Sequence, residues 1–153
     1  MNIEEFIDFI ITEYESGKSK ESEKAFQENN DFIREEQLNK FWKNVMALFS
    51  EKMIKEKVSR KNAARILYAF YKDVYNESDI DWGSSKKLKD IYECRVCANA
   101  IAQMYDNGIL ESATKEYFGL NDILSSDELM KSALKLLKHD FLQAKEEITI
   151  RNL

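Results

Sequence analysis

Two cysteines form the most recognisable chemical group in this chain. Cys94 and Cys97 make a Cys-x-x-Cys pair, which can exchange electrons when a helix N-terminus or a nearby cation lowers the pKa of one thiol. The surrounding residues predict a helix over 84–106, which puts both thiols well inside it, where the effect of the helix dipole has faded. We therefore predict a reduced pair of small buried side chains. A thiol oxidoreductase is the alternative.

The residues around this pair also bear on a known redox family. With Glu93 directly before the first cysteine, the segment resembles the redox helix of the AhpD-type peroxidase-reductase family. In that family a histidine follows the second cysteine by four residues, and this chain has Ile101 there. The resemblance implies thiol chemistry at Cys94 and Cys97, without the proton relay that a histidine supplies.

The other groups of reactive side chains are incomplete. His139 is the only histidine, so the chain lacks the paired histidines of zinc and di-iron helices. Residues 79–83 carry alternating carboxylates as in a calcium loop, but the glycine comes one place too early and Asp90 stands where a bidentate glutamate is needed. The four glycines form no phosphate-binding loop. We expect no metal, no cofactor and no enzymatic activity.

Length and composition indicate one compact domain. The 153 residues are 44% hydrophobic and 33% charged, which supplies enough apolar surface for a core without staples. No apolar run approaches the roughly 20 residues that cross a bilayer, and the first residues lack the basic start of a signal peptide. Because the two cysteines are predicted to be reduced, we expect a cytoplasmic protein that contacts no membrane.

Helical periodicity runs through most of the chain. Proline is absent and glycine is rare, and apolar residues recur at three- and four-residue spacing behind capping residues. We predict an all-α fold, a single-domain bundle of five or six mostly antiparallel helices over residues 1–153, with a flexible polar linker near residues 17–30. The fourth helix would carry Tyr92 and Val96 on its apolar face. The predicted helices cover about 2–17, 31–57, 59–75, 84–106, 110–118 and 125–148.

The charge is distributed unevenly along the chain. Residues 1–36 carry eleven acids and four bases, residues 37–72 nine bases and two acids, and residues 73–153 fifteen acids and ten bases. A helix pair that presents the basic middle could grip phosphates, so a nucleic-acid-associated subunit is one alternative. The acidic N-terminal arm of the same chain, or of a second copy in a homodimer, is another occupant for this surface. The residues proposed for nucleic-acid contact are Lys52, Lys55, Lys57, Arg60, Lys61 and Arg65.

An acidic loop before the predicted fourth helix holds a tryptophan. Trp82 is either a lid over the core or an anchor for a partner. Carboxylates that imitate phosphate, together with aromatic anchors, suit the recognition of a protein. We therefore predict a non-catalytic binding protein that occludes or scaffolds another macromolecule, in the manner of an immunity protein, an antitoxin or a counter-defence inhibitor. The predicted partner-binding residues are Trp82, Asp79, Asp81 and Glu77.

Overall fold

Six α-helices and one short 3-10 helix make up the described part of the chain. The structure is a computed structural model and describes residues 1–21 and 27–138. No strand occurs among these residues, and the helices pack into a compact bundle, so the predicted all-α fold is confirmed. The α-helices are α1 Ile3–Glu21, α2 Gln27–Ala47, α3 Glu51–Ile54, α4 Arg60–Asp73, α5 Ala98–Asp106 and α6 Ser126–Leu137, and the 3-10 helix Ser84–Lys87 lies between α4 and α5.

Local capping signals set the starts of several helices. Before α1, the backbone N–H of Asn2 donates to Glu5 Oε1 (3.0 Å) and the backbone N–H of Glu5 donates to Asn2 Oδ1 (2.7 Å), which is a reciprocal capping box. The hydroxyls of Ser59 and Ser125 each accept the backbone N–H three residues further on, at the starts of α4 and α6. The sequence predicts these three caps. Two other predicted caps are wrong, because residues 29–31 lie inside α2, and Ser84 and Ser85 lie inside the 3-10 helix, which has no side-chain cap.

Helix α4 lies at the centre of the bundle. It packs against α2, α5 and α6, while α1 packs against α6 and α3. The ring of Phe70 on α4 meets the rings of Tyr14, Phe41 and Tyr75 edge to face, at centroid distances of 5.3, 5.0 and 5.4 Å. Each such contact stabilises the fold by about 0.5–1.5 kcal/mol beyond the free energy gained from burying the apolar area. Aromatic packing around Phe70 therefore joins α1, α2 and α4.

The first turn of α4 is tied to the loop before α6. The backbone N–H groups of Arg60 and Lys61, which have no partner within the helix, donate to the carbonyls of Asp122 (2.8 Å) and Leu120 (3.0 Å). The Arg60 guanidinium donates to the carbonyl of Phe118 (3.1 Å) and to Asp122 Oδ2 (2.8 Å). One loop thus supplies hydrogen-bond acceptors both to the free N–H groups at the helix start and to a buried cation.

The predicted helix over 31–57 is two helices in the structure. Helix α2 ends at Ala47, and α3 begins at Glu51. Phe49 turns into the core in the connection, and the Ser50 hydroxyl accepts the N–H of Met53 (3.2 Å) as the cap of α3. A local cap together with a buried aromatic side chain explains the break.

The predicted helix over 84–106 is wrong for its first two thirds. Only Ala98–Asp106 is α-helical, behind the short 3-10 turn, and residues 88–97 form an irregular loop. Leu88 and Ile91 are buried as the pattern requires, but they pack from a loop. The backbone N–H of Lys89 donates to the carbonyl of Glu116 (2.8 Å) instead of continuing a helical ladder.

The predicted short helix over 110–118 is also wrong, because the segment is a series of turns. The Thr114 hydroxyl accepts the backbone N–H groups of Glu116 (3.3 Å) and Tyr117 (3.0 Å), and the N–H of Ala113 donates to the carbonyl of Phe118 (2.9 Å). A threonine side chain that bonds nearby amides competes with helix formation.

Two predictions fall partly outside the described residues. In the segment predicted as a linker, α1 continues past Gly17 to Glu21 and α2 begins at Gln27, while residues 22–26 lie outside the described ranges. The flexibility of this segment stays a prediction. Helix α6 ends at Leu137, and the predicted extension to 148, with His139, lies outside the described ranges.

Two glycines with positive φ provide a matched test of how tightly the loop before α6 is packed against the start of α4. Gly119 has φ 82°, and a Cβ there would meet Asp122 Oδ2 and lie 2.6 Å from Arg60 Nη1, whereas Gly108 has φ 73° with nothing within 4 Å. We expect each Gly→Ala change to cost about 1–2 kcal/mol in backbone strain, with about 1–3 kcal/mol more at Gly119 from crowding. Urea unfolding measures both values, and equal losses would contradict the tight packing around Arg60.

Candidate protein-binding surface

Four large apolar side chains around the start of α5 reach the surface of the molecule. Tyr92 is 67% exposed, Val96 80% and Ile80 41%, and Trp82 is partly buried against the core. We call Ile80, Trp82, Tyr92 and Val96 the aromatic surface. Trp82 and Tyr92 are in contact, and Ile80 and Val96 lie two and four residues from them in the sequence. Exposed apolar groups that lie together often mark contacts with other macromolecules.

Trp82 and Tyr92 form the centre of the aromatic surface. Their rings stack at a centroid distance of 5.9 Å and an interplanar angle of 30°. The indole Nε1–H of Trp82 donates to Asn99 Oδ1 on α5 (3.0 Å). The indole is therefore held both by its polar edge and by one of its faces, which leaves it little rotational freedom.

A buried glutamine on α5, Gln103, holds the backbone of Ile80, two residues before Trp82. Gln103 Oε1 accepts the backbone N–H of Ile80 (2.9 Å), and Gln103 Nε2 donates to the carbonyl of the same residue (2.8 Å). Gln103 Nε2 also lies 3.3 Å from Asn99 Oδ1. Because Asn99 and Gln103 are one helical turn apart, α5 supports Ile80 and Trp82 on the same side.

A carboxylate network supports the same loop from α4. Asp79 accepts hydrogen bonds from Tyr68 Oη (2.9 Å), Asn99 Nδ2 (3.0 Å) and Lys72 Nζ (3.2 Å). Burial and the bond to Asp79 raise the pKa of Tyr68 to about 12. Partial burial acts to raise the pKa of Asp79, but the hydrogen bonds from Asn99, Tyr68 and Lys72 outweigh it, and the net pKa is lowered. The network therefore favours an ionised Asp79 and a neutral Tyr68.

A second carboxylate anchors the loop that carries Tyr92. Asp90 is buried, and its two oxygens accept the backbone N–H groups of Phe118 (2.8 Å) and Gly119 (2.9 Å). Hydrogen bonds to an ionised partner are among the stronger ones in proteins. The base of the loop is thus fixed at Asp90, two residues before the exposed tyrosine.

The two cysteines differ from the sequence prediction in both position and oxidation state. Cys94 and Cys97 form a disulfide with their Cα atoms 5.2 Å apart. Cys97 is the residue directly before α5, so it lies at a helix N-terminus and not in a helix interior. The prediction of a reduced pair is wrong because the chain turns at 94–97, where the N–H of Cys97 donates to the carbonyl of Cys94 (3.1 Å). The cytoplasmic location loses the support of reduced thiols and stays a prediction.

The predicted partner-binding residues have different environments. Trp82 belongs to the aromatic surface, and Asp79 uses its charge within the supporting network. Glu77 is partly buried, with its carbonyl accepting Lys72 Nζ (2.7 Å), and Asp81 is exposed beside the tryptophan. The acidic loop therefore offers Asp81, and not Asp79, as a carboxylate for external contacts.

The predicted basic surface is divided between internal and external contacts. Arg60 is buried at 9% exposure and binds the loop before α6. Arg65 lies with its guanidinium 5.4 Å from the ring centroid of Phe49, and burial lowers its pKa. Lys61 is partly buried. The exposed members of the set are Lys52, Lys55 and Lys57.

Among the residues that build this surface, the sequence pointed only to Trp82. Tyr92 and Val96 fit the apolar face of the predicted helix, and their exposure follows only from the irregular loop. Asn99 and Gln103 carry no recognisable motif, and the loop residues that they hold, Trp82 and Ile80, lie 17 and 23 residues away. A polar amide on the buried face of a helix was the one signal available, because such a group needs a partner.

Comparisons of the chain with protein families, with curated proteins and with solved structures find no match. Within residues 1–21 and 27–138, no helix has the length and apolar character to cross a bilayer. In the same part of the chain, no three His, Cys, Asp or Glu side chains are grouped so that they could hold a metal ion.

Replacing Asp90 tests the anchor of the loop. Asp90→Asn keeps the side-chain shape but puts an amide donor against one of two backbone donors, so we expect the free energy of unfolding to fall by about 1–3 kcal/mol. Amide hydrogen exchange at Phe118 and Gly119 should accelerate with it. The exposed Asp81→Asn is the matched control, with an expected change within about 0.5 kcal/mol. Equal effects of the two changes would mean that Asp90 anchors nothing.

The carboxylate network predicts a specific loss of stability in alkali. Because the pKa of Tyr68 is raised from 10.0 to about 12 in the folded chain, its stabilising effect is fully present below pH 10 and is lost as the pH rises toward 12. Unfolding free energies measured across this range should therefore fall more steeply in the wild type than in Tyr68→Phe. Parallel curves for the two proteins would contradict the raised pKa of Tyr68, which follows from its burial and its hydrogen bond to Asp79.

Proposed function

We propose that this protein is a non-catalytic binding protein that occludes or scaffolds another protein through the aromatic surface. The observation that carries the proposal is the exposure of Tyr92 (67%) and Val96 (80%) on a loop fixed at both ends. Asp90 fixes one end, and the disulfide at the start of α5 fixes the other. Apolar side chains gain nothing from exposure to water, so their exposure on an ordered loop favours a role in binding a partner.

Rigidity adds to the value of this surface for binding. Ordering a side chain on association costs about 0.5–1.5 kcal/mol in conformational entropy. Because Trp82 and Tyr92 are already stacked in the free protein, part of this entropy is lost before a partner binds. Tyrosine and tryptophan are also the residues that most often dominate interface energies. A pre-ordered aromatic pair with an adjoining valine can therefore act as the core of an interface.

The polar residues near the aromatic surface fit the rim of an interface. Asp81, Glu93 and Arg95 are exposed and lie in sequence beside the four apolar residues. Interfaces commonly combine an apolar centre with a charged, solvated rim. The partner would then be a protein with an apolar pocket edged by polar groups, as expected for a target of an immunity protein, an antitoxin or a counter-defence inhibitor in the cytoplasm. A second copy of this chain is the other protein occupant.

The nucleic-acid alternative has weaker support. Affinity for phosphates depends on the number of cations that reach them. The Arg60 guanidinium is bound inside the protein, and that of the partly buried Arg65 lies over the Phe49 ring. The exposed cations of the predicted set are the three lysines on and after α3. The aromatic surface lies on a different part of the chain, and one pull-down with two sets of variants separates the two functions.

Changing the exposed part of the aromatic surface should remove a partner without unfolding the protein. We expect Tyr92→Ala with Val96→Ser to weaken capture from a nuclease-treated host lysate by at least 2 kcal/mol, or about 30-fold. The melting temperature should stay within a few degrees of the wild type, since both side chains are exposed. Quantitative capture of one stoichiometric protein measures the loss, and the same comparison with purified partner gives the affinity.

Two controls make this experiment decisive. Ile123→Ala removes another exposed apolar side chain, 57% exposed on the loop that pairs with Ser59, and should leave capture unchanged. Charge reversal of Lys52, Lys55 and Lys57 should also leave it unchanged. A salt-sensitive recovery of nucleic acid that this reversal abolishes, with no effect of the Tyr92 and Val96 changes, would replace the proposal by the nucleic-acid alternative.

A further inference from the structure

We infer that the Cys94–Cys97 disulfide is a site of thiol–disulfide exchange with a dithiol reductant, and that its reduction loosens the aromatic surface beside it. The first half of the inference is independent of any partner. The second half deepens the proposed function by naming the regulation of the same surface.

The two cysteines differ in their exposure to solvent. Cys97 is buried at 1% exposure, whereas Cys94 is only partly buried. The residues on either side of Cys94, Glu93 and Arg95, are exposed. A thiolate attacks a disulfide in line with the bond between the sulfurs, so a nucleophile that reaches Cys94 Sγ expels Cys97.

The expelled sulfur would lie at the end of a helix that favours negative charge. Cys97 directly precedes the nine-residue helix α5, and its side chain makes no capping hydrogen bond while it belongs to the disulfide. The first turn of a helix presents backbone N–H groups without partners in the helix, and its dipole favours an anion there. A thiolate at Cys97 is therefore a favoured leaving group, since exchange is faster when the departing thiolate is more stable.

The reaction balances with one dithiol. One thiolate of the reductant attacks Cys94 Sγ, the bond between the two protein sulfurs breaks, and Cys97 departs as a thiolate that can take up a proton. The second thiolate of the reductant then attacks its own sulfur in the mixed disulfide and releases Cys94. The protein gains two electrons, and the reductant leaves as a disulfide.

The loop contacts connect this reaction to the aromatic surface. Tyr92 and Val96 lie on either side of Cys94 in sequence, and Trp82 stacks on Tyr92 while it bonds Asn99, two residues after Cys97. With the disulfide broken, Cys94 is no longer covalently linked to Cys97 at the start of α5. The loop then gains conformational freedom that the other anchor, at Asp90, does not remove.

Reduction of the full chain by dithiothreitol tests the exchange site. The native protein and the same protein unfolded in urea are each mixed with dithiothreitol, quenched at intervals with iodoacetamide and weighed by mass spectrometry. We expect the native chain to be reduced at least as fast as the unfolded chain. Reduction of the native chain only at its rate of global unfolding would overturn the inference, because it would mean that the disulfide is purely structural.

The identity of the attacked sulfur is tested with a monothiol. Brief treatment of the oxidised wild type with 2-mercaptoethanol, followed by acid quenching and peptide mapping, should place the mixed disulfide on Cys94. A mixed disulfide on Cys97 would overturn the assignment of Cys97 as the leaving group. The wild-type chain serves for this measurement, so the result does not depend on whether cysteine variants fold.

Tryptophan fluorescence tests the link to the aromatic surface without a partner. The chain has two tryptophans, and Trp42→Phe, at an exposed position of α2, leaves Trp82 as the only reporter. Reduction should shift its emission or increase its quenching by iodide, while the helical circular dichroism signal stays unchanged. Complete reduction with unchanged emission and quenching would overturn the regulation of the surface and leave the proposed binding function standing.

Discussion

The dipeptide Phe118–Gly119 lies between two buried charges, and the position of the irregular loop over residues 88–97 depends on its hydrogen bonds. Its two N–H groups donate to the carboxylate of Asp90, and its two carbonyls accept from the guanidinium of Arg60, at 3.1 and 3.3 Å. A buried charge is costly unless hydrogen bonds replace its hydration. Here each charge faces the end of the peptide groups that has the opposite partial charge. Arg60 and Asp90 thus support each other through the backbone between them.

This arrangement explains how a helical protein holds an irregular loop with exposed apolar side chains in a fixed position. Arg60 opens α4, the central helix of the bundle, and Asp90 lies at the base of the Tyr92 loop, so the dipeptide connects the bundle to the loop. Gly119 contributes a positive φ that lets the peptide groups turn toward both charges without a side chain between them. The loop is therefore ordered by contacts distant in sequence and needs no secondary structure of its own.

The sequence predicts three local helix caps, but it misses the local bonds of Ser50 and Thr114 and the distant contacts of Asp90. The caps at Asn2, Ser59 and Ser125 are each completed within three residues, and the sequence places all three correctly. The segment 84–106 has the periodicity of a helix, but Asp90 bonds amides 28 and 29 residues away. The spacing of Leu88 and Ile91 correctly predicts that both are buried. Buried side chains occur in anchored loops as well as in helices, so this spacing alone does not show a helix. The all-α class was therefore predictable, whereas the loop and its exposed tyrosine were not.

Trp82 has the contacts of a lid over the core, and its role as an anchor for a partner stays a prediction. Its indole is partly buried, its N–H is bonded to Asn99, and its face lies on Tyr92. Loss of this side chain would remove packing and support together, so its effect on binding could not be separated from its effect on stability. Tyr92 and Val96 have most of their surface in solvent. Support and exposure therefore belong to different residues of one surface, with Trp82 stabilising the shape that Tyr92 and Val96 present.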